Sequence, residues 1–368
     1  MPAAIKYCTQ HKLNFTLLPF QKFTDFVKTL STVKNLVFFP QWMESYSRLA
    51  IEARILGCKL VTNTLLGVSS EPYFELKGRP LLEFIKQNNQ NIYDRYISFI
   101  EGEPIPYEKP IALPKVSLIV PLYNGEEYIT GFLEDIKNQT LFENSEVIII
   151  NANSPQDEEK YILEFIAQHP NVIYKKLDYR ATVMETENMA IQMASGEYIA
   201  QACVDDRRSV DYLEALAKTL YFNPEVDLVY GDCYQTPIAN ETYIHNSSKG
   251  NLYEHSLQSF SRENMIKCLP GPMPMWRKSM HQKCGYFDEE LAHAGDWDFF
   301  LRAVDNGCLF KKVMKPLGLY YYNSEGLSTS EEYFKTRTKE ECKIFKKYRK
   351  IFGEKCYNKY LNYFNQFE

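Results

Sequence analysis

The chain lacks the marks of several protein classes. No stretch approaches the ~20 apolar residues that a membrane-spanning helix needs. The opening Met1-Pro-Ala-Ala-Ile-Lys-Tyr-Cys8 has no apolar core of a secretion signal. There is no Cys-x-x-Cys pair, and the nine cysteines, an odd number scattered from Cys8 to Cys356, argue against a disulfide scaffold or a zinc ribbon. That usage fits a reducing compartment, so a cytoplasmic location is expected. Neither sign of charge dominates: 42 Lys+Arg face 47 Asp+Glu, a net of −5. This balance disfavours a phosphate-neutralising role, and no nucleic-acid partner is expected. The first strand is followed by neither G-x-G-x-x-G nor G-x-x-x-x-G-K-S/T, which disfavours dinucleotide-binding and P-loop chemistry.

What is present is length and apolar content. The 368 residues are 45% hydrophobic, enough for two or three units at roughly 150 residues each. The clearest boundary is Glu101–Pro114, where four prolines remove backbone donors and favour extended conformations, as in a linker. Beyond it, strand-like and helix-like patterns alternate. Val116–Val120 is a continuous apolar run, as in a strand covered on both faces. Glu126–Asn138 follows with one apolar helical face. The series continues with strands at Glu146–Ile150, Val172–Leu177 and Tyr198–Val204, and with helices near Asp157–His169, Val183–Ala194 and Asp211–Phe222. Such alternation predicts an α/β fold with a doubly wound, mostly parallel sheet and helices on both faces. Ligands of such sheets bind beyond the carboxyl ends of the strands.

Three of those ends are polar: Pro121-Leu-Tyr123-Asn124-Gly125, Asn151-Ala-Asn153-Ser154-Pro155 and Asp205-Asp206-Arg207-Arg208. The first two are compatible with ordinary turn chemistry. The third sets two carboxylates side by side, which repel unless a cation or donors offset them. Mg²⁺ or Mn²⁺ favours such carboxylates together with diphosphate oxygens; a helix N-cap by Asp206 or Ser209 is the alternative. Further on, Asp296-Trp297-Asp298 opens an amphipathic helix, where an aspartate is either a cap or a general base.

In order, VSLIVPLYNGEEYI, EVIIINANSP, ASGEYIAQACVDDR, GYFDEEL and AGDWDFFLRAVDNG, from about Val116 to Ser330, resemble the family-2 glycosyltransferases of GT-A fold. The segment GPMPMWRKSMHQKCGYFDEELAHAGDWDFFLR with LGLYYYNSEGLSTS resembles in particular the branch of bacterial surface-polysaccharide (capsule, lipopolysaccharide) synthesis. The resemblance implies that Pro121, Tyr123, Asn124, Asn151, Asn153, Asn188 and Asp205 meet a nucleotide diphosphate-sugar, a uridine nucleotide foremost and a guanosine one as the alternative. It implies that Asp205 and Asp206 hold Mn²⁺ or Mg²⁺, and that Asp296 is the base of a single inverting displacement onto a glycan or lipid-linked acceptor. Trp276, Arg277 and Trp297 are candidate acceptor walls, with plain packing as the alternative. The sequence departs from the family pattern at Cys203 (first Asp of D-x-D), Asn151 (base-reading Asp), Glu187 (Arg of A-R-N) and Gly295 (Glu of E-D), and it lacks the His near the last strand. A nucleotide-sugar-binding pseudo-enzyme or docking subunit is therefore the second reading.

The domains expected are a small α/β module over 1–100, the linker over 101–114, the GT-A domain over 115–330 and a helical tail over 331–368. The stretch Phe38–Asn63 resembles part of the C-terminal half of family-4 (GT-B) enzymes, although Glu44, Arg48 and Glu52 are also explained by an i,i+4 ion-pair ladder. The tail carries ten Lys/Arg against six Glu, with Ile344, Phe345, Tyr348, Ile351 and Phe352 on one helical face. That pattern fits either peripheral contact with an anionic membrane or a helix packed on the domain.

Overall fold

The structure is a computed structural model that describes residues 2–18, 23–40, 47–63, 65–87, 112–254 and 258–367. Two compact units divide the chain, Met1–Ala112 and Leu113–Glu368. Most of the predicted linker over 101–114 lies outside the described residues, and so does Glu44.

The first unit contains helices α1 (Pro2–Gln10) and α2 (Phe23–Thr32), strand β1 (Asn35–Val37), helix α3 (Arg48–Ile55), strand β2 (Lys59–Val61) and a helix, α4, over 79–87. The strands pair in parallel, with Leu36 opposite Leu60. Ser47 caps α3 by accepting from the Ala50 N–H. Arg48 and Glu52 form the predicted i,i+4 ion pair at 2.6 Å, with Arg48 largely exposed, so they stabilise the helix by a few tenths of a kcal/mol at most.

In the second unit the elements run β3 (Val116–Leu122), α5 (Glu126–Lys137), β4 (Ser145–Asn151), α6 (Glu158–Ile166), β5 (Val172–Lys176), α7 (Val183–Met193), β6 (Tyr198–Gln201), β7 (Arg207–Arg208), α8 (Tyr212–Phe222), β8 (Leu228–Thr236), β9 (Met275–Arg277), α9 (Met280–Cys284), α10 (Gly295–Asp305), β10 (Phe310–Tyr321), α11 (Glu331–Lys347) and α12 (Arg349–Phe364). They build an eight-stranded sheet in the order β5-β4-β3-β6-β9-β8-β10-β7. The pairs among β5, β4, β3 and β6, and between β8 and β10, are parallel. Strand β9 is antiparallel to both neighbours and joins the two parallel blocks. The architecture is the mixed α/β, mostly parallel sheet expected.

Successive residues of one strand serve opposite cores. Leu118 and Val120 pack with Ile129, Phe132 and Leu216 of α5 and α8. Ile119 packs on the other face with Ile191, Phe299 and Phe300 of α7 and α10. With both faces covered, continuous apolar runs are the natural strand sequences. One boundary differs in a way that matters: β6 stops at Gln201 rather than at Val204, so Ala202–Asp206 is loop.

The tail is not one helix. It breaks at Tyr348 and turns again at Gly353, where φ is +70°, a backbone region that favours glycine. Ile344, Phe345, Ile351 and Phe352 are all buried, in one core with Trp297 and Phe300. Phe345 stacks on Tyr357 at 4.5 Å and on Phe364 at 4.2 Å. The apolar face therefore packs on the domain and is not free to lie on a membrane. Among the described residues, no helix is long and apolar enough to cross one.

Candidate active site

Beyond the carboxyl ends of β3 and β6 the second unit opens a cleft of about 630 Å³. Its first wall is the turn after β3, where Pro121, Tyr123 and Asn124 all line the cleft. Asn124 adopts a left-handed φ of 53°, a conformation that Asn tolerates. Gly125 is required by close approach, since a Cβ there would come within 2.7 Å of the Leu122 side chain. The turn is pinned from α6 and the loop before it: the Gly125 N–H donates to Glu158 Oε1 at 2.6 Å, and the Asn124 N–H donates to Ser154 Oγ at 3.1 Å.

The loop after β6 brings Cys203, Asp205 and Asp206 together, with one ligand atom from each lying within 4.8 Å of the others. Asp206 is buried and accepts from the Tyr321 N–H at 3.0 Å. Behind it, Arg207 donates to the carbonyls of Val204 and Asp206, and Arg208 donates to that of Cys203, so the loop backbone is held rigidly. Burial raises the Asp205 carboxyl above its ordinary value. Burial together with the charge of Asp205 pushes Asp206 further up. Two carboxylates destabilised as ions in this way fit a bound cation, which would restore both charged forms.

Asp296 reaches the same cleft from the first turn of α10. Ala294 holds the cap position, so Asp296 is not the N-cap. Its Oδ1 accepts from the Trp297 N–H at 2.7 Å, and its Oδ2 lies 3.5 Å from the Cys268 thiol. Burial raises its carboxyl above the ordinary range. Asp298, two residues on, is a structural ion: it is buried between Arg302 at 3.2 Å and Lys347 at 2.7 Å. Five carboxylates line the cleft (Glu127, Asp205, Asp206, Asp296 and Glu325), against Arg180 as its one Arg or Lys among the described residues. An anionic ligand therefore needs a further cation there.

Residues 117–285 match the family model of Glycosyl transferase family 2. The matched residues all lie in the second unit. An uncharacterized glycosyltransferase of Methanocaldococcus jannaschii is 25% identical over 198 residues, covering 54% of this chain and 67% of its own. Two solved structures share the fold. TarS 1-349 of S. aureus in complex with UDP-GlcNAc is 21% identical with a TM-score of 0.51, over 63% of this chain and 66% of its own. A mannosyltransferase of Pyrobaculum calidifontis in complex with GDP-Man and Mn²⁺ is 18% identical with a TM-score of 0.50, over 72% and 74%. The sheet and helices are those of the GT-A fold.

Several residues expected at the site are elsewhere. Asn151 is a buried brace: its carbonyl accepts from the Ser154 N–H at 2.7 Å and its amide donates to the Tyr174 hydroxyl. Asn153 is exposed and turned toward the Asp178 carbonyl. Asn188 pins α7 to the chain at Phe287, donating to its carbonyl and accepting from its N–H, both at 2.9 Å. None of the three lines the cleft. Trp276 is fully buried, with Nε1 donating to His281 Nε2 at 2.9 Å. Arg277 holds the carbonyls of Val226 and Leu220. Trp297 is buried on the inner face of α10, donates to the Met265 carbonyl and packs near Phe352 and Phe364. For these three the packing alternative holds, because their polar atoms are committed inside the domain.

Two departures from the family pattern have physical accounts. At Gly295 a Cβ would come within 2.3 Å of Met184 Sδ, so Met184 fills the room of a longer side chain. Glu187 is fully buried, accepts from Gln201 Nε2 at 2.5 Å and is pushed up to about 8 by burial and by the charge of Asp296, which makes it a protonated acid at neutral pH. Sequence reasoning missed Arg180, which lies 3.1 Å over the Tyr123 ring, and the cleft tyrosines Tyr253, Tyr320 and Tyr333. The position of Arg180 just after the third strand was its only signal.

Proposed function

We propose that the second unit is an inverting, metal-dependent glycosyltransferase that moves a sugar from a nucleoside diphosphate-sugar to a hydroxyl of a glycan or lipid-linked acceptor. The observation that carries this reading is that Asp205 and Asp296 line one cleft. Asp296, as carboxylate, accepts the proton of the acceptor hydroxyl while its oxygen attacks the anomeric carbon opposite the leaving diphosphate. Burial makes that carboxylate a stronger base than one in water. The turn at Pro121–Asn124 and Arg180 border the nucleotide side, and Tyr253 and Tyr320, 4.8 Å apart, offer ring faces to a sugar. Asp205 and Asp206, with Cys203 beside them, would hold a divalent cation that offsets charge on the leaving diphosphate. UDP- and GDP-sugars are the donors to test first, in keeping with the ligands of the two solved neighbours. A role in surface-polysaccharide assembly rests on the motif resemblance.

The test is a thermal-shift panel of UDP- and GDP-sugars with and without Mn²⁺. Stabilisation by at least one of them, weakened by EDTA and by Asp205→Ala, is expected. No shift with any of them contradicts a donor site.

A further inference from the structure

The cation cluster holds a sulfur where the family pattern has an oxygen. Cys203 differs from Cys233, Cys284, Cys308 and Cys342, which are buried within the hydrophobic cores. It lines the cleft, and its Sγ has no hydrogen-bond partner among the described residues. The ligand atoms of Cys203, Asp205 and Asp206 span no more than 4.8 Å. Bonds of about 2.0–2.3 Å to oxygen or sulfur put two ligands of one ion at most about 4.5 Å apart, so a small closing movement seats all three on one cation. Arg208 holds the Cys203 carbonyl, and the Tyr321 N–H holds one oxygen of the Asp206 carboxylate.

We propose that Cys203 is a direct sulfur ligand of the donor's cation and tunes the site toward more thiophilic divalent ions (Co²⁺, Zn²⁺) at the expense of Mg²⁺. This rests on the reading that Asp205 and Asp206 hold that cation. On binding, the S–H bond of Cys203 breaks, the sulfur lone pair goes to the metal and the proton leaves to water. Mg²⁺ demands hard oxygen ligands in near-octahedral geometry and gains little from sulfur. With Arg180 as the one Arg or Lys beside five cleft carboxylates among the described residues, the affinity of the cation limits how well an anionic diphosphate is held, so the residue that selects the ion also sets the conditions under which the donor binds.

The probe is Co²⁺, added to the full chain with and without UDP and read by absorption spectroscopy and calorimetry. A near-ultraviolet thiolate-to-Co²⁺ charge-transfer band is expected, absent in C203S and retained in C356S. C203S should bind Co²⁺ at least about tenfold more weakly. In C203D the preference for Co²⁺ over Mg²⁺ should fall by at least a similar factor. The wild-type spectrum is informative even if a variant folds poorly. Calorimetric Co²⁺ binding without the band overturns the sulfur ligand and leaves the donor site standing. No cation binding, with UDP or GDP present, overturns both.

Discussion

The Cys268 thiol lies 3.5 Å from Oδ2 of Asp296, while the backbone N–H of Trp297 donates to the other oxygen of the same carboxylate. Asp296 is thereby oriented toward the cleft with no ion-pair partner among the described residues. Asp298, one turn-face away on the same helix, is neutralised by Arg302 and Lys347. The two aspartates of Asp296-Trp297-Asp298 differ in role because their surroundings differ.

The pH profile of kcat/KM follows from this. Burial raises the Asp296 carboxyl, so activity should decline, as pH falls, at a pH above the ordinary carboxylate value of 3.8. A profile flat down to that value would remove Asp296 as the base. The same shift means that ionised Asp296 costs stability at neutral pH, so Asp296→Asn should melt no lower than wild type.

Glu187 gives a sharper stability test. Its carboxyl is raised from 4.5 to about 8 by burial and by Asp296. A raised acid contributes stability that is fully present below about 4.5, declines as pH rises and is gone once pH passes about 8. Glu187→Gln should therefore be near-neutral at pH 4 and melt several degrees higher than wild type at pH 9. Equal melting temperatures at both pH values would show that Glu187 is ionised in the fold.

Apart from the two-residue strand β7, the element order from Val116 to Phe222 was legible because strands covered on both faces need unbroken apolar runs, and helices between them need one apolar face. The placement of Asp205 and Asp296 at one cleft was legible for a related reason: paired or terminal carboxylates at element ends are costly to bury without a partner. Asn188 was not, because its partner is Phe287, 99 residues away. An asparagine that braces a loop and one that reads a ligand look alike in sequence. Trp276 and Trp297 failed in the same way, since only the packing of α9, α10 and α12 decides which side of the domain an aromatic faces. The pattern in the tail was correct in composition, but its projected apolar face is broken: Ile344 and Phe345 lie on α11, Ile351 and Phe352 on α12, and Tyr348 at the break between them.

Trp276→Phe should therefore act on stability and not on the acceptor. It leaves buried His281 without its indole donor, at a cost of about 1–3 kcal/mol. Chemical denaturation should show that loss with the acceptor KM unchanged. A raised KM at unchanged stability would return Trp276 to the acceptor site.

Deleting the chain after Ser330 should destabilise or aggregate the protein, because it uncovers Trp297 and Phe300 in the core they share with Phe345 and Phe352. Any binding of the full chain to anionic vesicles would rest on basic side chains alone and should vanish at high salt. Salt-resistant co-sedimentation would contradict the buried placement of that apolar face.

The central claim is that carboxylates from two ends of the domain serve one reaction, Asp205 through a cation on the donor and Asp296 through a proton on the acceptor. The most direct measurement compares donor affinity and turnover in Asp296→Asn with wild type, on the nucleotide-sugar that the thermal-shift panel identifies. The account predicts donor affinity within a small factor of wild type and kcat lower by about 10²–10⁴-fold. Undiminished turnover in Asp296→Asn would contradict it.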